Sequence, residues 1–163
     1  MDTSHSSLSA AGPAGWTVSL FVSALGLWMG AATFFSAVVL PTLFMNLETA
    51  EAGSIAALLF PLYFRVGLVL GVVTTAAAAL VGRGGGRRWV VVVALLASIT
   101  AAQAWTTVVI HPEMALIRGV DSEVARFQSL HHLSVRLNGV VLGVGMLILL
   151  GSGFLLRRRE PLA

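Results

Sequence analysis

The sequence predicts an all-α fold: a polytopic membrane protein whose four transmembrane helices form an antiparallel bundle. Three observations predict it. Of 163 residues, 57% are apolar and 10% are charged, against about 25% charged in a soluble domain. Four long runs carry no charge. More than half of the arginines sit in two short clusters, one after the second run and one after the fourth, which is how charge orients membrane proteins. With a mean hydropathy of +0.92, the chain has too few polar groups to cover a soluble fold of this length. That excludes a cytosolic enzyme, a disordered chain and a nucleic-acid binder. The formal charge of +3 and the pI of 11.1 describe membrane orientation and not an affinity for DNA. With no Cys in the chain, disulfides, zinc–thiolate sites and thiol chemistry are ruled out.

Each span follows from its run. Charge is absent from Ser6 to Leu47, Val66 to Gly82, Trp89 to Ile110 and Leu137 to Leu156. A crossing helix needs about 20 such residues. The spans are therefore expected near 18–40, 61–82, 89–110 and 136–156, with a flexible segment at 1–17 and a basic tail at 157–163. Span 1 reads as an uncleaved anchor, because a signal peptide has a basic start and a shorter apolar stretch. Arg83, Arg87 and Arg88 lie between spans 2 and 3, and Arg157, Arg158 and Arg159 follow span 4. Both clusters fall on the side that holds the termini, which is expected to be cytoplasmic in a bacterial inner membrane.

Depth follows from helical rise. Arg65 precedes Arg83 by roughly 27 Å of helix, so it belongs at the outer interface. Arg136 reaches the same level, as do His111, Pro112 and Glu113. Pro41 is expected to mark the outer end of span 1, and His111–Pro112 that of span 3. Pro61 suits the first turn of a helix. Between Pro41 and Pro61 the chain is expected to form a short helix on the outer surface; the alternative is one long kinked second helix. Asp121 to Asn138 reads as helix continuing into span 4, with Asp121 or Ser122 as its cap.

Three spans carry Gly-x-x-x-Gly: Gly26–Gly30, Gly67–Gly71 and Gly139–Gly143. Such strips let another backbone approach closely. Packing within one bundle is preferred, because the strip recurs on different spans; self-association is the alternative. Trp16 and Trp89 sit at span ends, where indoles anchor to headgroups.

The outer ends hold the candidate chemistry. At 100° per residue, His131, Ser134 and Asn138 share one face of span 4, and His132 and Arg136 share another. A polar stripe entering a membrane helix faces the bundle or a water-filled cavity. Arg65 and Arg136 read equally as ligand contacts or as interfacial snorkelling. His111, Glu113, Met114, His131 and His132 are weak candidates for a divalent or cuprous ion, since their spacing matches no metal signature and arginines lie nearby. No cofactor is expected. Ser134 with His131 forms a Ser–His pair at i, i+3, a spacing that arises by chance.

The same residues carry a family resemblance. The matching pieces are Leu27-Trp28-Met29-Gly30, Phe35, Pro41-Thr-Leu-Phe44, Ala52-Gly53, Leu59-Phe60-Pro61-Leu62-Tyr63-Phe64, Pro112, and Phe127-x-x-x-His131-x-x-Ser134-x-x-x-Asn138. In this order, across roughly residues 18 to 150, the chain resembles the transmembrane protein 205-like family of small four-helix membrane proteins. The resemblance implies a four-span bundle with both termini on one side, and no known reaction. It points to Pro61, Tyr63, Pro112, His131, Ser134 and Asn138 as carriers of any shared role. His132 and Arg136 lie outside the pattern, and the loop between spans 3 and 4 is shorter than in animal members.

Three functional expectations result. The first is a non-enzymatic protein that binds or passes a small solute or ion through an outward-facing pocket of Tyr63, Arg65, His111, His131, Ser134, Arg136 and Asn138. The second is an accessory or assembly subunit of a larger membrane complex, partnered by lipid and by other subunits or itself. An intramembrane enzyme is the remainder.

Overall fold

A computed structural model of the chain describes residues 15–157; the remainder of the expected flexible N-terminus and basic C-terminus lies outside them. The described residues form four helices, each long and apolar enough to cross a membrane: α1 (Gly15–Asn46), α2 (Thr49–Gly82), α3 (Arg87–Ile117) and α4 (Asp121–Leu156). Consecutive helices are neighbours, and α4 returns to α1, closing a ring of four. The chain is an all-α, four-helix membrane bundle, as its composition predicts.

The helices run further than the charge-free runs, and the prolines explain how. A proline inside a helix lacks an N–H and its ring crowds the carbonyl four residues back. Here the chain widens the turn ahead of two of its prolines. Phe35–Val39 and Thr106–Ile110 are π-helical turns, in which the Leu40 N–H donates to the Phe35 carbonyl and the His111 N–H to the Thr106 carbonyl. Pro41 and Pro112 follow directly, and neither ends its helix. α1 continues to Asn46 and α3 to Ile117, so the expectation that these prolines end their helices is corrected. α2 runs unbroken through Pro61, which selects the single long second helix over a separate surface helix. α4 opens with a 3-10 turn at Asp121–Glu123 and extends beyond the apolar run, as its pattern predicts. The residue at the cap position of that turn is Val120, which makes no side-chain bond.

The turn between α2 and α3 is short, and Gly84 and Gly86 take positive φ values of 75° and 73°, where a glycine costs least. This end of the bundle carries Arg83, Arg87 and Arg88 and is called the basic end. Its core is a close packing of Phe21, Leu25, Val81, Trp89 and Leu96. Phe21 and Trp89 meet edge to face, with centroids 5.9 Å apart. Trp89 is 1% exposed. It is a core residue and not a headgroup anchor, because the tight turn folds it against α1. Trp16 stays 64% exposed, in keeping with an interfacial role.

The glycine strips divide. A Cβ on Gly67 would lie 2.7 Å from Gln103 Nε2, and one on Gly71 would lie 2.9 Å from both Thr100 and Trp28. This strip brings α2 against α1 and α3. Gly26, Gly30, Gly139 and Gly143 have open space where a Cβ would go. Bundle packing therefore accounts for one strip of three. The glycine that admits α1 to α4 is Gly145, whose Cβ would collide with Met29.

Candidate functional site

The far end of the bundle from the arginine turn is held by rings and hydrogen bonds. Tyr63 and Phe64 each lie about one helical turn after Phe60 on α2, so the three rings emerge on one side. The Tyr63 ring stacks on Phe35 of α1 at 4.3 Å and 13°. It meets Phe64 edge-on at 4.9 Å. Phe60 meets Phe35 at 5.5 Å. His111, in the α3 turn just past the π-helical segment, places its ring 4.3 Å from Phe64 and 5.3 Å from Phe60. Five rings from three helices thus form one cluster.

A polar link runs beside it. The Tyr63 hydroxyl donates to Asn138 Oδ1 at 2.7 Å. Asn138 Nδ2 donates to Ser36 Oγ at 3.3 Å. This chain of part-buried groups ties α2, α4 and α1 together. A second link ties α3 to α2: Gln103 Nε2 donates to the Phe64 carbonyl at 3.2 Å. Gly67 is what leaves room for that amide.

Two groups lack such partners. Among the described residues, the buried His111 Nε2 and Thr74 Oγ1 have no hydrogen-bond partner. Thr74 lies fully buried in α2, between Val73 and Thr75. His111 sits near the bundle end, close enough to Arg118 and His131 to feel their charges.

The remaining candidates separate from this cluster. Ser134 is buried, and its hydroxyl donates to the His131 carbonyl at 3.0 Å. It does not face the imidazole, so the Ser–His pair of the sequence reading is not formed. His131 stacks along α4 on Phe127 and neighbours His132. Arg65, Arg136 and His132 are exposed, and among the described residues Arg65 and Arg136 make no ion pair. Glu113 is taken up by Arg126, whose Nε donates to it at 2.9 Å. Arg118 donates to the Gly53 carbonyl at 3.2 Å and lies 5.8 Å from the Phe127 ring centre. These contacts clamp the loop between α3 and α4 onto its surroundings. No group of three or more metal-binding side chains occurs among the described residues.

Of the predicted site, the fold brings together Tyr63, Asn138 and, through the rings, His111. It leaves Arg65, Arg136 and His132 outside. Ser36, Phe60, Phe64 and Gln103 were not singled out as site residues. Gln103 carried a signal, since an amide in a charge-free span needs a partner. Ser36 carried none, being one of several hydroxyls in its span.

A family model described as Domain of unknown function (DUF4149) matches residues 23–119. That covers α1 to α3 with Tyr63 and His111, and stops short of Asn138. A curated relative, an uncharacterized protein of Aquifex aeolicus (strain VF5), is 41% identical over 51 residues, or 31% of this chain and 39% of that protein. The match thus spans well under half of that relative. No solved structure matches the chain.

Proposed function

The chain belongs to the DUF4149 family, and on that premise we propose that it is a non-enzymatic membrane protein that holds a small hydrogen-bonding solute at its ring cluster. One observation carries the reading. His111 Nε2 is buried and unpartnered, among rings that fix its position. Such a group costs about 1–3 kcal/mol unless something satisfies it. A solute with a hydroxyl, amide or carboxylate group would do so, while Phe60 and Phe64 cover its apolar part. Tyr63 and Asn138 form the wall behind, already bonded to each other. In this reading the ring cluster faces outward and the arginine turn faces the cytoplasm, in a bacterial inner membrane. The likeness to the transmembrane protein 205-like family extends the same family reading into α4, through Phe127, His131, Ser134 and Asn138.

The test compares the wild type with His111→Phe in mild detergent. Phenylalanine keeps the ring and removes the orphan nitrogen. The expected outcome is a variant more stable than wild type by about 1 kcal/mol. Members of a panel of small alcohols, amides and carboxylates should raise the thermal midpoint of the wild type only. A solute at a hundredfold excess over its Kd adds about 2.7 kcal/mol. If every panel member shifts both proteins alike, the reading fails.

The open strips support a second reading. Gly26, Gly30, Gly139 and Gly143 face outward with space above them, which suits an accessory subunit docking another helix. Co-migration with a partner after gentle extraction, lost in Gly139→Leu, is its expected signature.

A further inference from the structure

A cavity of about 520 Å³ opens between α3 and α4 at the basic end. Val92 and Ile148 form its floor, each 7% exposed. Leu95, Leu147 and Phe154 form its open flanks at 42%, 73% and 78%. Gly151 lies along the wall and has no neighbour where a side chain would stand, so the slot stays clear. Arg88 stands at one end of the cavity, in the first turn of α3. Leu95 lies about 10 Å further along the same helix. The cavity is therefore an apolar channel, open along its side, with a guanidinium at its mouth.

We propose that this channel seats one acyl chain of an anionic phospholipid, with the lipid phosphate on Arg88. Charge argues for that occupant. Among the described residues, the basic end carries Arg83, Arg87 and Arg88 and no carboxylate. The dipole of a 31-residue helix adds positive potential at the same point. Arginine matches phosphate with two parallel donors, and basic pockets between membrane helices at the interface are suited to acidic headgroups. The walls offer nothing polar to a small hydrophilic solute. They open on the side where Leu147 and Phe154 stand exposed. This site lies at the opposite end from the ring cluster and does not depend on its reading.

The test is native mass spectrometry of the purified full chain. It is titrated with phosphatidylglycerol and with phosphatidylcholine of the same acyl chains. Wild type should retain phosphatidylglycerol about fivefold better. Arg88→Gln should bring the two lipids to parity. Arg87→Gln, outside the channel, should keep most of the preference. Gly151→Leu, which fills the slot, should reduce retention of both lipids. Helical content by circular dichroism verifies that each variant is folded. Equal retention of the two lipids by wild type would overturn the proposal, as would an undiminished preference in Arg88→Gln. A dimer that disappears in Gly151→Leu would assign the channel to a second copy and also overturn it.

Discussion

The two ends of this bundle are held by different forces. At the basic end, Phe21, Leu25, Val81, Trp89 and Leu96 pack as one buried apolar cluster. At the far end, the same four helices meet through the Tyr63–Asn138–Ser36 hydrogen bonds and a cluster of five rings. Between them, Gly67 and Gly71 draw α2 onto its neighbours. The difference teaches where each helix is committed. In lipid, apolar contact brings no hydrophobic gain, so close fit and hydrogen bonds must hold the helices. The basic end relies on fit, which tolerates no exchange of partner. The far end relies on hydrogen-bonding groups that must each find a partner on another helix.

The largest test of that contrast is Trp89→Ala. It removes a fully buried indole from the close-packed end and should cost about 3 kcal/mol in reversible unfolding from detergent. A loss below about 1 kcal/mol would mean that the basic end is not close-packed. Next comes Asn138→Leu, which strands the Tyr63 hydroxyl and the Ser36 hydroxyl at the far end. The expected cost is about 1–2 kcal/mol, and Tyr63→Phe in the same background should recover part of it. Additivity of the two substitutions would break the claim that they form one link. The smallest effect is expected at the rim. Arg126→Ala removes an ion pair with Glu113 from a side chain that is 59% exposed. It should change stability by at most about 1 kcal/mol, and the difference should fade in high salt. A larger loss that persists in salt would show that the loop between α3 and α4 anchors the far end.

Much of the fold was legible in the sequence, and particular residues show why the rest was not. The four spans could be counted because runs such as Trp89 to Ile110 compare directly with bilayer thickness. The prolines misled, since a π-helical turn lets a helix pass Pro41 and Pro112, and nothing local announces such a turn. Trp89 misled for a related reason. Its place in the chain resembles that of a headgroup anchor, yet the short turn at Gly84 and Gly86 swings it against Phe21. The glycine strips looked alike, but only Gly67–Gly71 meets other helices. In the candidate site, Tyr63, Asn138 and His111 were named from the chain, while their partners Ser36 and Phe60 were not.

By itself, then, the sequence determined an all-α protein of four apolar spans, with two arginine clusters placed on one side of them. These properties run along the chain and depend only on helical rise and the energy of charge in lipid. The tertiary structure alone decided that Asn138 bonds Tyr63 and Ser36, that Ser134 turns to its own backbone, that Glu113 belongs to Arg126, and that His111 Nε2 is left buried without a partner. Those outcomes depend on how each helix is rotated about its axis and slid against its neighbours. Rotation and sliding are set by shape, through residues such as Gly67, Gly145 and Trp28, and shape is a property of helices already packed together.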